Sequence, residues 1–136
     1  GRVDTATGAM TEFKLPEGAR PRRLQVAASG TVWYTDYRRG FLGGLDPAKA
    51  SVREWPAPFR GEGPYGIAIA PDGTIWYNHA KGDAITRFDP VTEKSTSLQI
   101  PTRGAVVRHM VTDAQRQRIW LALSGTGRLG VIELGG

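Results

Sequence analysis

The chain has 136 residues, of which 40% are hydrophobic and 23% are charged, which is the size and composition of a single soluble folded unit. It contains no cysteine, which excludes disulfide bonds and thiolate metal sites and leaves the compartment open between cytoplasm and periplasm. The net charge is +5, but the basic residues are interleaved with acidic ones, so we expect no nucleic acid as partner. No segment has the length of a membrane span, so we expect no membrane as partner either.

One sequence pattern recurs three times along the chain. Before the first copy, GRVD at 1–4 and TEFKLP at 11–16 match the last two strands of a preceding copy. Each copy then contains a strand with a tryptophan, namely GTVWYTD at 30–36, GTIWYNH at 73–79 and QRIWLAL at 117–123. Trp33, Trp76 and Trp120 are therefore 43 and 44 residues apart, and we assign them to packing between repeats.

Within each copy, the apolar residues lie in short alternating runs bounded by Gly, Pro, Asp or Ser, as is typical of strands. Ser29-Gly30 and Asp72-Gly73 stand where a two-residue hairpin turn needs a positive φ. A period of about 43 residues with about four strands is typical of a four-stranded antiparallel β-propeller blade. We therefore predict an all-β fold of about thirteen strands, in groups of two, four, four and three, without a helix longer than two turns.

The predicted blades form one partial propeller domain over residues 1–136. The blades end near residues 16, 58 and 101, and the last copy, which ends in RLGVIEL, lacks its outer strand. About three blades cannot close a ring, because propellers have roughly four to eight. We interpret the chain as the C-terminal part of a larger propeller, closed by missing blades or by a second copy.

The start of each inner strand and the end of each second strand share one rim, where the central tunnel of a propeller opens and binds small ligands. Pairing across the glycine turns places Arg23 opposite Asp36 and Gly66 opposite His79. In the last blade, side chains alternate along the inner strand, so only one of Arg108 and His109 can face the tunnel, and a one-residue bulge would change which of them does.

The repeat resembles that of the virginiamycin B lyase (streptogramin B lyase) family over essentially the whole chain. The motifs that carry this resemblance are PYGI at 64–67, PDG at 71–73 and ITRFDP at 85–90. The resemblance implies a seven-bladed propeller that opens a cyclic depsipeptide antibiotic at its ester by elimination, without hydrolysis and with Mg²⁺ assisting.

The resemblance also implies a histidine at the start of an inner strand and acidic residues close to it. In the three successive copies, the residue at the position of this histidine is Arg22, Tyr65 and Arg108. His109 follows one residue after Arg108 in the last copy. The last-blade positions that would hold Mg²⁺ read Val106, Arg108 and Ser124, so no metal ligand is assigned.

The candidate catalytic residues are His109 and His79, each a possible base for removing a proton next to a carbonyl. The alternatives are a rim histidine bonded to backbone and a histidine on a surface loop. The candidate substrate-binding residues are Tyr65, Arg22, Arg23, Arg108, Asp36 and Tyr37. For Asp36, the alternative is a cross-strand ion pair with Arg23.

Three functions remain open from the sequence. The first is a lyase of the kind that the resemblance implies. The second is a non-catalytic propeller whose arginine-rich rim binds an anionic ligand or a protein. The third is a sugar-lactone hydrolase, for which Asp36 and Asn78 are the only candidate metal ligands.

Overall fold

The computed structural model describes residues 1–135, which form thirteen antiparallel strands and no helix. The sheets contain two, four, four and three strands, which confirms the predicted all-β propeller blades. The strands are β1 Arg2–Val3, β2 Met10–Thr11, β3 Pro21–Val26, β4 Val32–Asp36, β5 Phe41–Asp46, β6 Ser51–Pro56, β7 Pro64–Ile69, β8 Ile75–His79, β9 Ala84–Asp89, β10 Lys94–Gln99, β11 Val107–Asp113, β12 Arg118–Leu123 and β13 Arg128–Glu133.

Strands β3, β7 and β11 are the inner strands of successive blades, because each begins its sheet and β7 lies against both of the others. The blades follow one another in sequence order. No helix long and apolar enough to cross a membrane occurs in residues 1–135.

The hairpin register differs from the expected one by one residue. Gly30 and Gly73 do adopt positive φ, of 87° and 83°, but each occupies the fourth position of its turn and donates to the carbonyl three residues earlier. Val26 therefore pairs with Val32, and Ile69 with Ile75. A turn of this kind contains one more residue than the predicted two-residue loop, which shifts the whole pairing.

Each inner strand also contains a bulge close to its start, between Pro21 and Leu24 in β3, between Pro64 and Ile67 in β7 and between Val107 and His109 in β11. Asp36 consequently lies opposite Pro21 rather than Arg23. His79 likewise lies opposite Pro64 rather than Gly66. The predicted pairs of rim residues were wrong because the turn and the bulge each shift the pairing by one residue.

The core consists of two apolar layers between blades. Trp33 packs with Phe88 and Trp55 between the first two complete blades, and Trp76 lies in a second cluster with Met110 and Ile119. These positions confirm that Trp33 and Trp76 belong to the packing between blades.

Trp120 occupies the equivalent position on the last blade, but its environment differs. It is 39% exposed, whereas Trp33 and Trp76 are 7% exposed, because no later blade of the described chain packs on it. Its neighbours Leu129 and Val131 are exposed as well, and so are Leu24 and Val26 at the other end of the stack. Both end faces are apolar surfaces that further blades would cover in a closed ring.

Polar side chains also join the blades. Thr35 Oγ1 donates to the carbonyl of Tyr65 at 2.6 Å, and Asn78 Nδ2 donates to the carbonyl of Val107 at 2.9 Å. Thr35 and Asn78 are equivalent in the repeat, and each donates a hydrogen bond to a backbone carbonyl of the next blade's inner strand.

Candidate functional site

The bulges change which side chains of the inner strands lie on the tunnel side. A bulge places two residues of one strand opposite a single partner residue, so consecutive side chains no longer alternate strictly between the two faces. In β11, Arg108 is the extra residue between Val107 and His109. Arg108 and His109 are both exposed, and they line two different cavities on the inner side of the blades.

The first cavity, of about 260 Å³, lies at the mouth of the tunnel and is built from arginine and tyrosine side chains. The Arg22 guanidinium lies 4.9 Å from the centre of the Tyr37 ring. The guanidinium groups of Arg23 and Arg108 lie 5.3 and 6.0 Å from the Tyr65 ring. Such cation–π contacts hold the arginines in place without neutralising them.

The two tyrosine rings meet edge to face, with their centres 6.1 Å apart. The structure therefore brings together five of the six predicted substrate-binding residues, namely Tyr65, Arg22, Arg23, Arg108 and Tyr37. Their role in binding a substrate stays a prediction.

The second cavity, of about 320 Å³, lies deeper along the inner strands and contains His109. Arg23 also lines this cavity, and its guanidinium group lies 5.3 Å from the centre of the Tyr65 ring. Gly66 and Ile67 supply part of the opposite wall. The lining of this cavity thus includes a candidate base, His109, and a permanently charged residue, Arg23.

Asp36, the sixth predicted binding residue, is fully buried and cannot reach a ligand at the mouth. Its Oδ2 accepts from Arg39 Nε at 2.7 Å, and its Oδ1 accepts from three backbone N–H groups, those of Arg20, Arg38 and Arg39. The expected ion pair with Arg23 was wrong, because the bulge in β3 moves Arg23 away from Asp36.

The charge of Asp36 is stabilised by this environment. Burial by itself raises the pKa of a carboxyl, but the backbone N–H groups of Arg20 and Arg39 and the Arg39 guanidinium together hold the pKa of Asp36 below its ordinary value of 3.8. Arg39 also pairs with Glu54, which accepts a hydrogen bond from Tyr34 Oη at 2.7 Å. Asp36 is therefore part of a structural ion-pair network.

His79 is fully buried between strands and does not face the tunnel mouth. Its Nε2 lies 2.7 Å from Thr86 Oγ1, and the Phe59 ring stands edge-on at 4.9 Å. Its Nδ1 is buried without a hydrogen-bond partner in residues 1–135. Burial lowers the pKa of His79 from 6.5 to about 4. The expectation that this histidine lies at the rim or on a surface loop was wrong.

The described residues do not fit a magnesium site. Mg²⁺ prefers several oxygen ligands, usually carboxylates. No group of three or more His, Asp or Glu side chains converges within residues 1–135. Asp36 is saturated by Arg39 and backbone, and the amide of Asn78 bonds Gly66 and Val107. Because of these contacts, Asp36 and Asn78 are not free to bind the metal ion of a lactone hydrolase.

Sequence reasoning missed three cations that lie beside the mouth, Arg20, Arg38 and Lys81. Arg38 and Lys81 are 43 residues apart, and each comes two residues after the end of a second strand. The repeat itself therefore contained the signal that places both at one end of adjacent blades.

Comparison with solved structures relates these blades to known lyases. A selenomethionine-substituted virginiamycin B lyase from Staphylococcus aureus matches 100% of this chain and 48% of its own length, with a TM-score of 0.82 and 20% identity. A streptogramin B lyase matches 97% of this chain and 46% of its own, with a TM-score of 0.75 and 26% identity. The chain thus spans about half the length of these lyases.

A catalytically inactive virginiamycin B lyase from Staphylococcus aureus, crystallised with quinupristin, matches 95% of this chain and 46% of its own, with a TM-score of 0.72 and 24% identity. None of the curated proteins matches the chain in sequence. The model of the virginiamycin B lyase family covers residues 1–136, and the chain therefore belongs to this family.

Proposed function

We propose that the propeller to which this chain contributes opens a cyclic depsipeptide at its ester by elimination, as a streptogramin B lyase-like enzyme. The observation that carries the proposal is the bulge in β11 beside His109, which lines a tunnel-side cavity together with Arg23. Family membership and the resemblance to lyase structures support the same reaction class.

In the proposed reaction, His109 removes the proton on the carbon next to a carbonyl group of the substrate. The electrons of that C–H bond form a C=C double bond, and the bond from the neighbouring carbon to the ester oxygen breaks. The ester leaves as a carboxylate within the same molecule. No water is added, so the ring opens with no change in mass.

Arg23 supports this step by its permanent charge. Loss of the proton next to a carbonyl places negative charge on the carbonyl oxygen, and the positive charge of Arg23, a residue that lines the cavity of His109, stabilises that charge. The mouth residues Arg22, Arg108, Tyr37 and Tyr65 bind the substrate in this proposal, since they form the adjacent aromatic and cationic wall. No step passes through Mg²⁺, because residues 1–135 contain no group of ligands for it, and such ligands would have to come from other blades.

A second candidate is a non-catalytic binding propeller. It is favoured by the surplus of arginine at the mouth and by the burial of both Asp36 and His79, the residues that the sequence had offered beside His109. Such a protein would bind a ligand at the same mouth without changing it.

The test is to incubate the full-length protein with a streptogramin B antibiotic, with added Mg²⁺ and with a chelator, and to analyse the products by mass spectrometry. A linear product of unchanged mass supports the lyase. A product heavier by one water indicates hydrolysis and contradicts it. Binding of the antibiotic without any product supports the non-catalytic propeller.

A further inference from the structure

Beside the tunnel mouth, a cavity of about 410 Å³ lies between the first two complete blades. We call it the basic basin and define it by its cationic residues Arg20, Arg22, Arg38 and Lys81. None of these four forms an ion pair with a carboxylate of residues 1–135. Several positive charges that face one concave space create a positive potential that attracts anions.

The centre of the basic basin is the ring of Tyr37. The Arg22 guanidinium lies 4.9 Å from the ring centre, and Lys81 Nζ lies 5.8 Å from it. Gly63 lies directly against the ring, because a Cβ atom at this position would be 2.7 Å from a ring carbon. Gly63 also has a positive φ of 66°. A side chain at position 63 would therefore displace the ring that holds two of the cations.

The loops that bear the other cations are held by backbone hydrogen bonds. Lys81 N donates to the carbonyl of Glu62 at 2.9 Å, and Tyr37 N donates to the carbonyl of Arg20 at 3.2 Å. Asp36 Oδ1 accepts the backbone N–H of Arg38 at 3.1 Å. The positions of these cations are thus determined by the fold, even though their side chains are exposed.

The carboxylates near the basic basin do not neutralise it. Asp36 and Glu54 are both paired with Arg39, the remaining arginine of the cavity wall. The Glu62 side chain lies against Gly82, where an added Cβ would be 2.2 Å from Oε2, and Glu62 does not line the cavity. The charge of the four cations is therefore left for an external anion.

We propose that the basic basin binds a phosphorylated small molecule through its phosphate group. A phosphate monoester has up to two negative charges and three acceptor oxygens, and arginine guanidinium groups bind such oxygens in pairs, so it matches several converging cations better than a single carboxylate does. The volume of about 410 Å³ is that of a small-ligand site. The Tyr37 ring supplies an apolar surface for the rest of the molecule.

This site goes beyond the lyase proposal and does not depend on it. Arg20, Arg38 and Lys81 are not assigned to the binding of a depsipeptide, and they face the space between blades rather than the cavity that contains His109. The two sites share Arg22 and Tyr37, so the proposals are separated by the residues that only the basic basin contains: loss of Arg38 and Lys81 should weaken phosphate binding and leave the elimination reaction unchanged.

The experiment is a calorimetric titration of the full-length protein with inorganic phosphate, citrate and a single-stranded oligonucleotide at low ionic strength. The test variant is Arg38→Ala/Lys81→Ala, and Lys81→Arg is the conservative variant that retains the charge. The matched control is Arg103→Ala, since Arg103 is an exposed cation of the next inter-blade loop and does not line the basic basin. Thermal unfolding of each variant verifies that the fold is retained.

We expect phosphate to bind the wild type, Lys81→Arg and Arg103→Ala with similar affinity. The double variant should bind it roughly tenfold to a hundredfold more weakly, because two charge-assisted contacts are lost. Equal phosphate affinity in the double variant, or no phosphate binding by the wild type, would overturn the proposal. Tighter binding of citrate would overturn the choice of phosphate, and tighter binding of the oligonucleotide would indicate a nucleic-acid surface instead.

Discussion

The side chain of Asn78 connects its own blade to the next, because its Nδ2 donates a hydrogen bond of 2.9 Å to the carbonyl of Val107. Its Oδ1 accepts the backbone N–H of Gly66 at 2.6 Å, beside the bulge of β7. Both polar atoms of this amide are thus hydrogen-bonded inside the protein. Asn78 therefore stabilises the junction between blades.

Replacing Asn78 by alanine should lower the free energy of unfolding by about 2 to 4 kcal/mol, because a buried N–H and a buried carbonyl lose their partner. Urea denaturation of the full-length protein measures the change. Gln115→Ala, an exposed turn position, serves as the control and should change the stability very little. An Asn78→Ala protein as stable as the control would contradict the structural role.

Replacing Arg39 by methionine should destabilise the protein by about 3 kcal/mol at neutral pH, because the buried carboxylate of Asp36 loses its guanidinium partner. The matched comparison is Arg103→Met, which removes an exposed cation outside the network. Because the loss arises from a charged Asp36, the double change Asp36→Asn/Arg39→Met should be less destabilised than Arg39→Met alone. If the double variant and Arg39→Met unfold at the same denaturant concentration, the unpaired charge of Asp36 is not the cause of the destabilisation.

The pH dependence of stability should contain a contribution from His79. Burial lowers its pKa from 6.5 to about 4, so between these values the unfolded chain binds a proton that the folded protein excludes. The contribution is fully present above about pH 6.5, is lost as the pH falls towards 4, and amounts to roughly 2 to 3 kcal/mol.

The measurement is denaturant unfolding of the wild type and of His79→Gln at several values between pH 4 and 7.5. The difference in stability between the two proteins should shrink as the pH falls. A difference that stays constant over this range would mean that His79 protonates equally well in the folded and unfolded states.

Removing the proposed base should separate catalysis from binding. His109→Ala should lower kcat for depsipeptide opening by roughly a hundredfold or more, as loss of a general base does. Arg108→Ala should mainly raise KM, by about tenfold, because Arg108 lines the mouth cavity rather than the cavity that contains His109. Full activity of His109→Ala would assign the base to another residue.

Residues 1–136 produced alone should self-associate, because both end faces of the blade stack are apolar and exposed. Leu129 is 75% exposed at one end, and Val26 is 60% exposed at the other. Light scattering with size-exclusion chromatography detects the association. The change Leu129→Lys/Val131→Lys should reduce it, and a monodisperse monomer of the unmodified chain would contradict the prediction.

Much of the fold followed from local sequence alone. The spacing of Trp33, Trp76 and Trp120, with short alternating apolar runs and glycine turns, was sufficient for blades, their strand groups and the two buried tryptophan layers. These features repeat, and each depends on residues close in sequence. The alternation of side chains along a strand and the positive φ of glycine are local properties, so they could be predicted.

The site depended instead on contacts between distant parts of the chain. The turns and bulges moved every inner strand by one or more residues relative to its partner, which separated Arg23 from Asp36. Burial of His79 is decided by strands and loops that pack around it. The local pattern does not encode these shifts, because a bulge costs little within one strand and is selected by the packing of neighbouring blades. Tertiary packing therefore decided which of the predicted polar residues reach the tunnel and which lie in the core.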